Sequence, residues 1–185
     1  MAATLSNMMQ LGTLAPDFSL LDTKSNKVLG LQNLRGSKAT VVMFICNHCP
    51  FVKHVNSELI KIANEYQGKG VGFVAISSND IESYPEDGPE QMKIVAEKLH
   101  YPFPYLFDET QEVARSYDAA CTPDFYIFDK NLACAYRGQL DDSRPGNNIS
   151  VTGKDLRQAL DDIIAQQPVT INQKPSMGCN IKWKN

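Results

Sequence analysis

No apolar run in this chain approaches the ~20 residues that a membrane-spanning helix needs. That excludes a helical span, and no membrane partner is expected. Met1 to Leu11 has neither a basic start nor a long apolar core, so no secretory signal is expected and the cytoplasm is the expected location. An excess of one charge is also missing. The 18 Lys and Arg stand against 21 Asp and Glu, and the resulting −3 offers nothing to a nucleic acid. Cysteines are few and odd in number, 5 in 185 residues, which excludes a dense disulfide framework. There is no second C-x-x-C and no H-x-x-H, so a closed zinc site lacks its second ligand pair. Internal repeats and low-complexity segments are absent too.

What remains has the composition of one ordinary globular domain. Hydrophobic residues make up 43% and charged residues 21%, enough for a sizeable core at this length. The expected division is a domain over 1–168 and a tail of the same domain over 169–185. Met1 to Gly12 reads as an irregular arm. Ala15 to Asp22 and Lys27 to Leu31 read as a hairpin around Lys24-Ser25-Asn26. Ala39 to Ile45 and Val71 to Ile76 are apolar without alternation, as in strands buried on both faces. Between them Phe51, Val52, Val55, Leu59, Ile62, Ala63 and Tyr66 recur at helical spacing, up to Gly68 and Gly70.

Strand, helix, strand is a βαβ unit. Further on, Pro89 opens a helix, and Phe125–Phe128 pairs with Leu132–Tyr136. Thr152-x-x-Asp155 reads as a capping box for a last helix that Pro168 ends. The tail beyond is expected to be flexible, carrying Cys179 and the single tryptophan, Trp183. The class is α/β, with a central mixed sheet of about five core strands, helices on both faces and an N-terminal β-hairpin extension.

The chemistry is expected at Cys46-Asn47-His48-Cys49-Pro50, where the first buried strand meets its helix. A helix N-terminus offers unsatisfied N–H groups and a positive dipole end, both favourable to a thiolate. The thiolate is the nucleophile in disulfide exchange. Pro50 suits the first helical position, which makes Cys49 the cap; the alternative makes Cys46 the cap. Cys46 is the favoured attacking thiol, as the N-terminal of the two. His48, between the sulfurs, is read as a thiolate stabiliser against a plain polar residue topping the helix. His54 reads as a surface histidine. Cys134 reads as a buried, inert thiol. Asp17, Asn79 and Asp80 read as solvated loop ends. Cys46, Cys49, His48 and His54 are also ligand types, so a metal-binding module is a minor alternative, but no metal or other cofactor is expected.

Several motifs recur in order: Ala15-Pro16-Asp17-Phe18, the C-x-x-C, Phe103-Pro104-Tyr105-Leu106-Phe107-Asp108 and Thr122-Pro123-Asp124-Phe125. With these the chain resembles the thioredoxin-fold redoxins, the alkyl hydroperoxide reductase/thiol-specific antioxidant group, and within it peroxiredoxin-like proteins carrying a C-x-x-C. The resemblance runs from about Leu14 to Ile164, and the tail Ser176 to Lys184 is similar to that subgroup as well. It implies a three-layer α/β/α thioredoxin fold and a cis peptide before Pro123. It also implies that Thr122 and Pro123 sit against the C-x-x-C. Cys121, next to them, is open between packing and site.

The sequence departs from the peroxiredoxin pattern in two places. Cys46 stands where that pattern has a threonine, while Cys49-Pro50 matches its Cys-Pro. The arginine expected before the Phe125 strand is missing, which leaves Arg137 and Arg144 to supply it. The expected function is therefore thiol–disulfide exchange by Cys46 and Cys49. Peroxide reduction by either cysteine, with Cys179 as a mobile resolving thiol, is the alternative. Expected partners are protein or small-molecule disulfides, or peroxides, and a thiol reductant.

Overall fold

The computed structural model describes residues 3–184; Met1, Ala2 and Asn185, the outer ends of the expected arm and tail, lie outside the described residues. In chain order the elements are β1 (Ala3–Leu5), β2 (Ser19–Asp22), β3 (Lys27–Gly30), α1 (Leu31–Leu34), β4 (Ala39–Phe44), α2 (Pro50–Gln67) and β5 (Val71–Ser77). There follow α3 (Pro89–Lys98), β6 (Tyr105–Phe107), α4 (Glu112–Ser116), β7 (Cys121–Thr122), β8 (Asp124–Asp129), β9 (Cys134–Gly138), α5 (Lys154–Ile164) and β10 (Met177–Asn180).

The main sheet has 7 strands in the order β3-β2-β6-β5-β4-β8-β9. β4 runs parallel to β5 and antiparallel to β8, so the sheet is mixed. The expected N-terminal hairpin forms one edge as β2 and β3, docked on β6. Every residue of β4 is buried, as its unalternating apolar run requires. Successive side chains on a strand point to opposite faces. Val41 and Met43 therefore join one core, with Ile45 just past the strand end and with Leu59 and Ile62 of α2, Met92 of α3 and Leu156 of α5. Val42 and Phe44 join the other, with Leu31 of α1, Ala114 of α4 and the Tyr117 and Tyr126 rings. The result is helix, sheet, helix, in three layers.

α2 buries the face that its spacing predicts from Val52 to Tyr66, with Phe51 half-buried at its start, and Glu58 besides. That carboxylate is kept inside by Arg157 at 2.9 Å and Lys61 at 3.1 Å, a pairing that apolar periodicity cannot show.

Three expectations are corrected. The N-terminal arm is not irregular throughout: β1 is a strand. The tail is not flexible: β10 lies between β1 and β7 in a second, 3-stranded sheet. The capping box is absent as well. α5 is capped by Gly153 in the left-handed region at φ 66, with no side-chain cap. The Leu140 carbonyl takes the first-turn amides of Asp155 and Leu156 at 3.2 and 3.3 Å, and the Asp141 carboxylate fixes the approach to the helix, accepting from the Thr152 amide at 2.7 Å, the Gly153 amide at 2.6 Å and the Ser143 amide at 2.8 Å. Charge-assisted bonds of this kind are the strong ones. Asp141→Ala is expected to lose about 3 kcal/mol of unfolding free energy in a urea titration, because buried amides are left unpaired.

Candidate active site

Cys46 follows Ile45 at the carboxyl end of β4, and Cys49 is the N-cap of α2 with Pro50 at the first helical position. This settles the two capping alternatives. Proline has no N–H to lose there and its φ suits the turn. Both sulfurs are buried, Cys46 keeping 2% of its surface and Cys49 none.

The peptide before Pro123 is cis, and the loop lies against the C-x-x-C, as the resemblance implies. Thr122 touches both sulfurs. Its hydroxyl is 3.4 Å from Cys46 Sγ, and its carbonyl oxygen is 3.1 Å from Cys49 Sγ, which donates to it when protonated. A third sulfur completes the cluster: Cys179 Sγ lies 2.8 Å from Cys49 Sγ. β10 brings it there, because Cys179 pairs with Thr122 across the small sheet.

The cysteines divide electrostatically. Cys49 is held down to about 5 by the hydrogen bond from the Cys46 thiol, against the opposing effect of burial. The Cys179 thiol and the amides of Val52 and Cys179 add to the lowering. Cys46 is pushed far up, by its bond to Cys49, by burial and by the negative charge of Asp87. The lowering at Cys49 and the raising at Cys46 favour one proton shared between the two sulfurs, with the negative charge toward Cys49. Cys179 is pushed up to about 12, first by burial and then by its bond to Cys49.

His48 turns its ring chiefly to Asp87. Its Nδ1–H is committed to Asp87 at 2.6 Å, while Cys46 Sγ is 3.9 Å away. Its ring stacks on Tyr84, centroids 5.1 Å apart. Stabilisation of the thiolate falls to the neighbouring thiols and backbone amides instead. Asp87 is the fully buried anchor of the motif. It accepts from the Asn47 amide at 2.8 Å, the His48 amide at 3.2 Å, His48 Nδ1 and Asn79 Nδ2 at 2.8 Å.

Asn47 fixes the motif further, donating from Nδ2 to Glu86 O and accepting from the Tyr105 hydroxyl at 3.2 Å. Asp87 and Tyr84 were not legible in the sequence. Asn79, read as a solvated loop end, is buried and also accepts from the Lys182 amide at 2.8 Å. The Asp17 and Asp80 carboxylates accept from the Phe18 and Glu82 amides, and the Asp80 amide donates to Lys182 O at 2.8 Å.

Asp87→Asn is expected to cost roughly 3 kcal/mol of stability, since it removes the charge from a buried, paired group. The same variant relieves Cys46 of a negative neighbour, so its thiol is expected to titrate lower. Urea unfolding and thiolate absorbance at 240 nm check both expectations.

The remaining candidates lie apart from the sulfurs in role. Cys121 is buried and donates to Pro123 O at 3.7 Å; burial pushes its thiol up, so it packs. Cys134 is buried in β9 and pushed up to about 11, as expected of an inert thiol. Arg137 is bound to the Met9 carbonyl and to Gln173. Arg144 donates to the Asp141 and Ser143 carbonyls and to Gln139, beside a narrow cleft with Phe51, His54 and Pro123. Neither guanidinium bonds Cys46 or Cys49. His54, half-buried, bonds Ser143 Oγ at 2.7 Å rather than facing solvent alone. Cys46, His48 and Asp87 offer metal-ligand atoms within 4.8 Å of one another. Both Asp87 oxygens are already taken by the donors named above, so this group is closed by its own hydrogen bonds.

A three-layer α/β/α sheet with a dithiol at the start of the helix after its central strand, facing a cis-proline loop, has the thioredoxin fold. The chain belongs to the AhpC/TSA family, whose pattern matches residues 11–137. It is similar over its whole length to an uncharacterized conserved protein from Geobacillus kaustophilus, at 63% identity and TM-score 0.98, covering 100% of this chain and 97% of that one. A hypothetical protein from Sinorhizobium meliloti 1021 is 45% identical at TM-score 0.95, with 98% of each chain covered. The thioredoxin domain of a thiol-disulfide oxidoreductase from Bacteroides vulgatus shares the fold at 19% identity and TM-score 0.60, over 74% of this chain and 91% of that one. A search of curated protein sequences gives no match.

Proposed function

We propose that the protein is a cytoplasmic thiol–disulfide oxidoreductase that cycles Cys46 and Cys49 between dithiol and disulfide. The observation that carries this reading is the geometry: Cys46 at the end of β4 and Cys49 at the cap of α2 both lie against Thr122 of the cis-proline loop. In the proposed cycle Cys46, the N-terminal sulfur of the pair, passes its proton to Cys49 and attacks a substrate disulfide. A mixed disulfide forms and one substrate thiolate leaves. Cys49 then gives up the proton and attacks Cys46 Sγ, which closes the Cys46–Cys49 bond and releases the second substrate thiol. A thiol reductant resets the pair.

Holding the reduced pair as a thiolate favours the dithiol, which makes the disulfide form the better oxidant. The sign with pH follows. A depressed pKa stabilises the reduced form fully above the ordinary cysteine range, and the stabilisation is lost as pH falls through about 5. Peroxide reduction is the weaker reading, because Arg137 and Arg144, the two guanidinium groups proposed for it, are bonded elsewhere. Stopped-flow oxidation by hydrogen peroxide, measured beside reduction of insulin disulfides, tests the choice. Slow peroxide reaction with efficient insulin reduction is expected. Peroxide oxidation orders of magnitude faster than that of a free thiolate at the same pH reverses the assignment.

A further inference from the structure

The proposed cycle uses two sulfurs and leaves a third in contact with them. Cys179 is neither a surface thiol nor an ordinary core residue. It is the middle of a strand held on both edges. Ala3 faces it on β1 and Thr122 faces it on β7. On the N-terminal side the Ser176 amide donates to Ser6 Oγ at 2.8 Å, and its hydroxyl donates to Pro123 O at 2.6 Å. On the C-terminal side the Ile181 amide donates to Ala120 O at 3.1 Å, and the Lys182 amide to Asn79 Oδ1. The strand also passes so close to the proline loop that Gly178 has no room for a side chain: a Cβ would lie 1.9 Å from Thr122 O.

A thiol fixed in this way is already oriented. Pre-positioned reactants gain a large effective concentration, because the entropy of bringing them together is already lost. From 2.8 Å, closing a Cys49–Cys179 bond takes a further approach of about 0.8 Å to reach disulfide length.

We propose that Cys179 is a third redox cysteine, which exchanges with the Cys46–Cys49 disulfide to form Cys49–Cys179 and free Cys46. This rests on the Cys46–Cys49 cycle proposed above. The step balances within the chain. Cys179 gives up its proton and its sulfur attacks Cys49 Sγ. The Cys49–Cys179 bond forms as the Cys46–Cys49 bond breaks, and the departing Cys46 sulfur takes a proton. One disulfide replaces another, and no outside oxidant or reductant is consumed. The exchange returns a free thiol to Cys46, beside Thr122 Oγ1 and His48. In that state the oxidised protein still carries a thiol able to meet a second substrate or the reductant. β10 is then bolted covalently over the helix cap.

The test uses the full chain with Cys46→Ser. The variant is oxidised with diamide, alkylated and mapped by peptide mass spectrometry. An intrachain Cys49–Cys179 bond is expected, with both thiols lost together, and it should vanish in the Cys46→Ser, Cys179→Ser double variant. Cys46→Ala replaces Cys46→Ser if circular dichroism shows that the serine variant does not fold. Oxidised wild-type protein, quenched in acid, is expected to hold both linkages, with part of Cys46 open to alkylation. The proposal is overturned if folded Cys46→Ser protein forms only diamide-driven adducts or interchain bonds at Cys49 while Cys179 stays free. It is equally overturned if the oxidised wild type holds no Cys49–Cys179 fraction. Failure of the underlying cycle looks different: the Cys179→Ser protein then forms no Cys46–Cys49 bond.

Discussion

Cys49→Ser protein is expected to reduce insulin no faster than the reaction without protein, and to lose the rise in 240 nm absorbance centred near pH 5. Two arguments give this size of effect. First, serine at the cap can still accept helix amide bonds, and serine is among the preferred N-cap residues, so the fold is retained. Second, the hydroxyl neither ionises in this range nor forms a disulfide. The whole dithiol cycle is removed while α2 stays in place. Cys46→Ser should also abolish turnover, yet it should move the thiolate titration in the opposite sense from complete loss. Its hydroxyl still faces Cys49, the leading cause of the lowered value is weakened, and the midpoint is expected to rise above about 5. Loss of the low-pH thiolate in Cys46→Ser but not in Cys49→Ser would place the charge on Cys46 instead.

The second large effect is expected from Gly178→Val. A Cβ at Gly178 would lie 1.9 Å from the Thr122 carbonyl oxygen and 2.6 Å from its carbon. Both are backbone atoms held in β7, so they cannot swing aside as the end of a long side chain does. β10 must lift, and its pairing with β1 and β7 goes with it. Forcing atoms into a packed place costs typically about 1–3 kcal/mol and occasionally more. The effect on reactivity is expected to be larger than that on stability, because Cys49 and Cys179 are covered by this strand and both become open to reagents. Urea unfolding reads the first effect and stopped-flow reaction with Ellman's reagent the second. Thiol reactivity equal to wild type in the valine variant would show that β10 is not what covers the sulfurs.

The motif and its scaffold were legible because local pattern decides them. Ala39 to Ile45 has no polar partner face, so it can only be a doubly covered strand, and the spacing from Val52 to Tyr66 admits only a helix. A proline directly after the second cysteine fixes where that helix starts. What stayed hidden depends on residues far apart in sequence. Met177-Gly178-Cys179-Asn180 has no alternation and contains a glycine, so nothing local marks it as a strand; its partners are Ala3–Leu5 and Cys121–Thr122. Asp87 sits in a polar stretch that reads as a turn, and its importance comes from donors at positions 47, 48 and 79. The start of α5 misled for the same reason: Thr152 and Asp155 imitate a capping box, while the Thr152 and Gly153 amides bind a carboxylate at position 141 and the Asp155 amide binds the carbonyl of Leu140.

The placing of Cys179 also sets an order of events in synthesis. It is separated from Cys49 by 130 residues, and every strand of the main sheet lies before it. Ribosomes add roughly 5–20 residues each second, and domains assemble as the chain emerges. Cys46 and Cys49 therefore leave the ribosome roughly 6–26 s ahead of the strand that covers them. During that interval the growing chain shows an uncovered dithiol to every oxidant and disulfide nearby. The finished chain shows almost none of it.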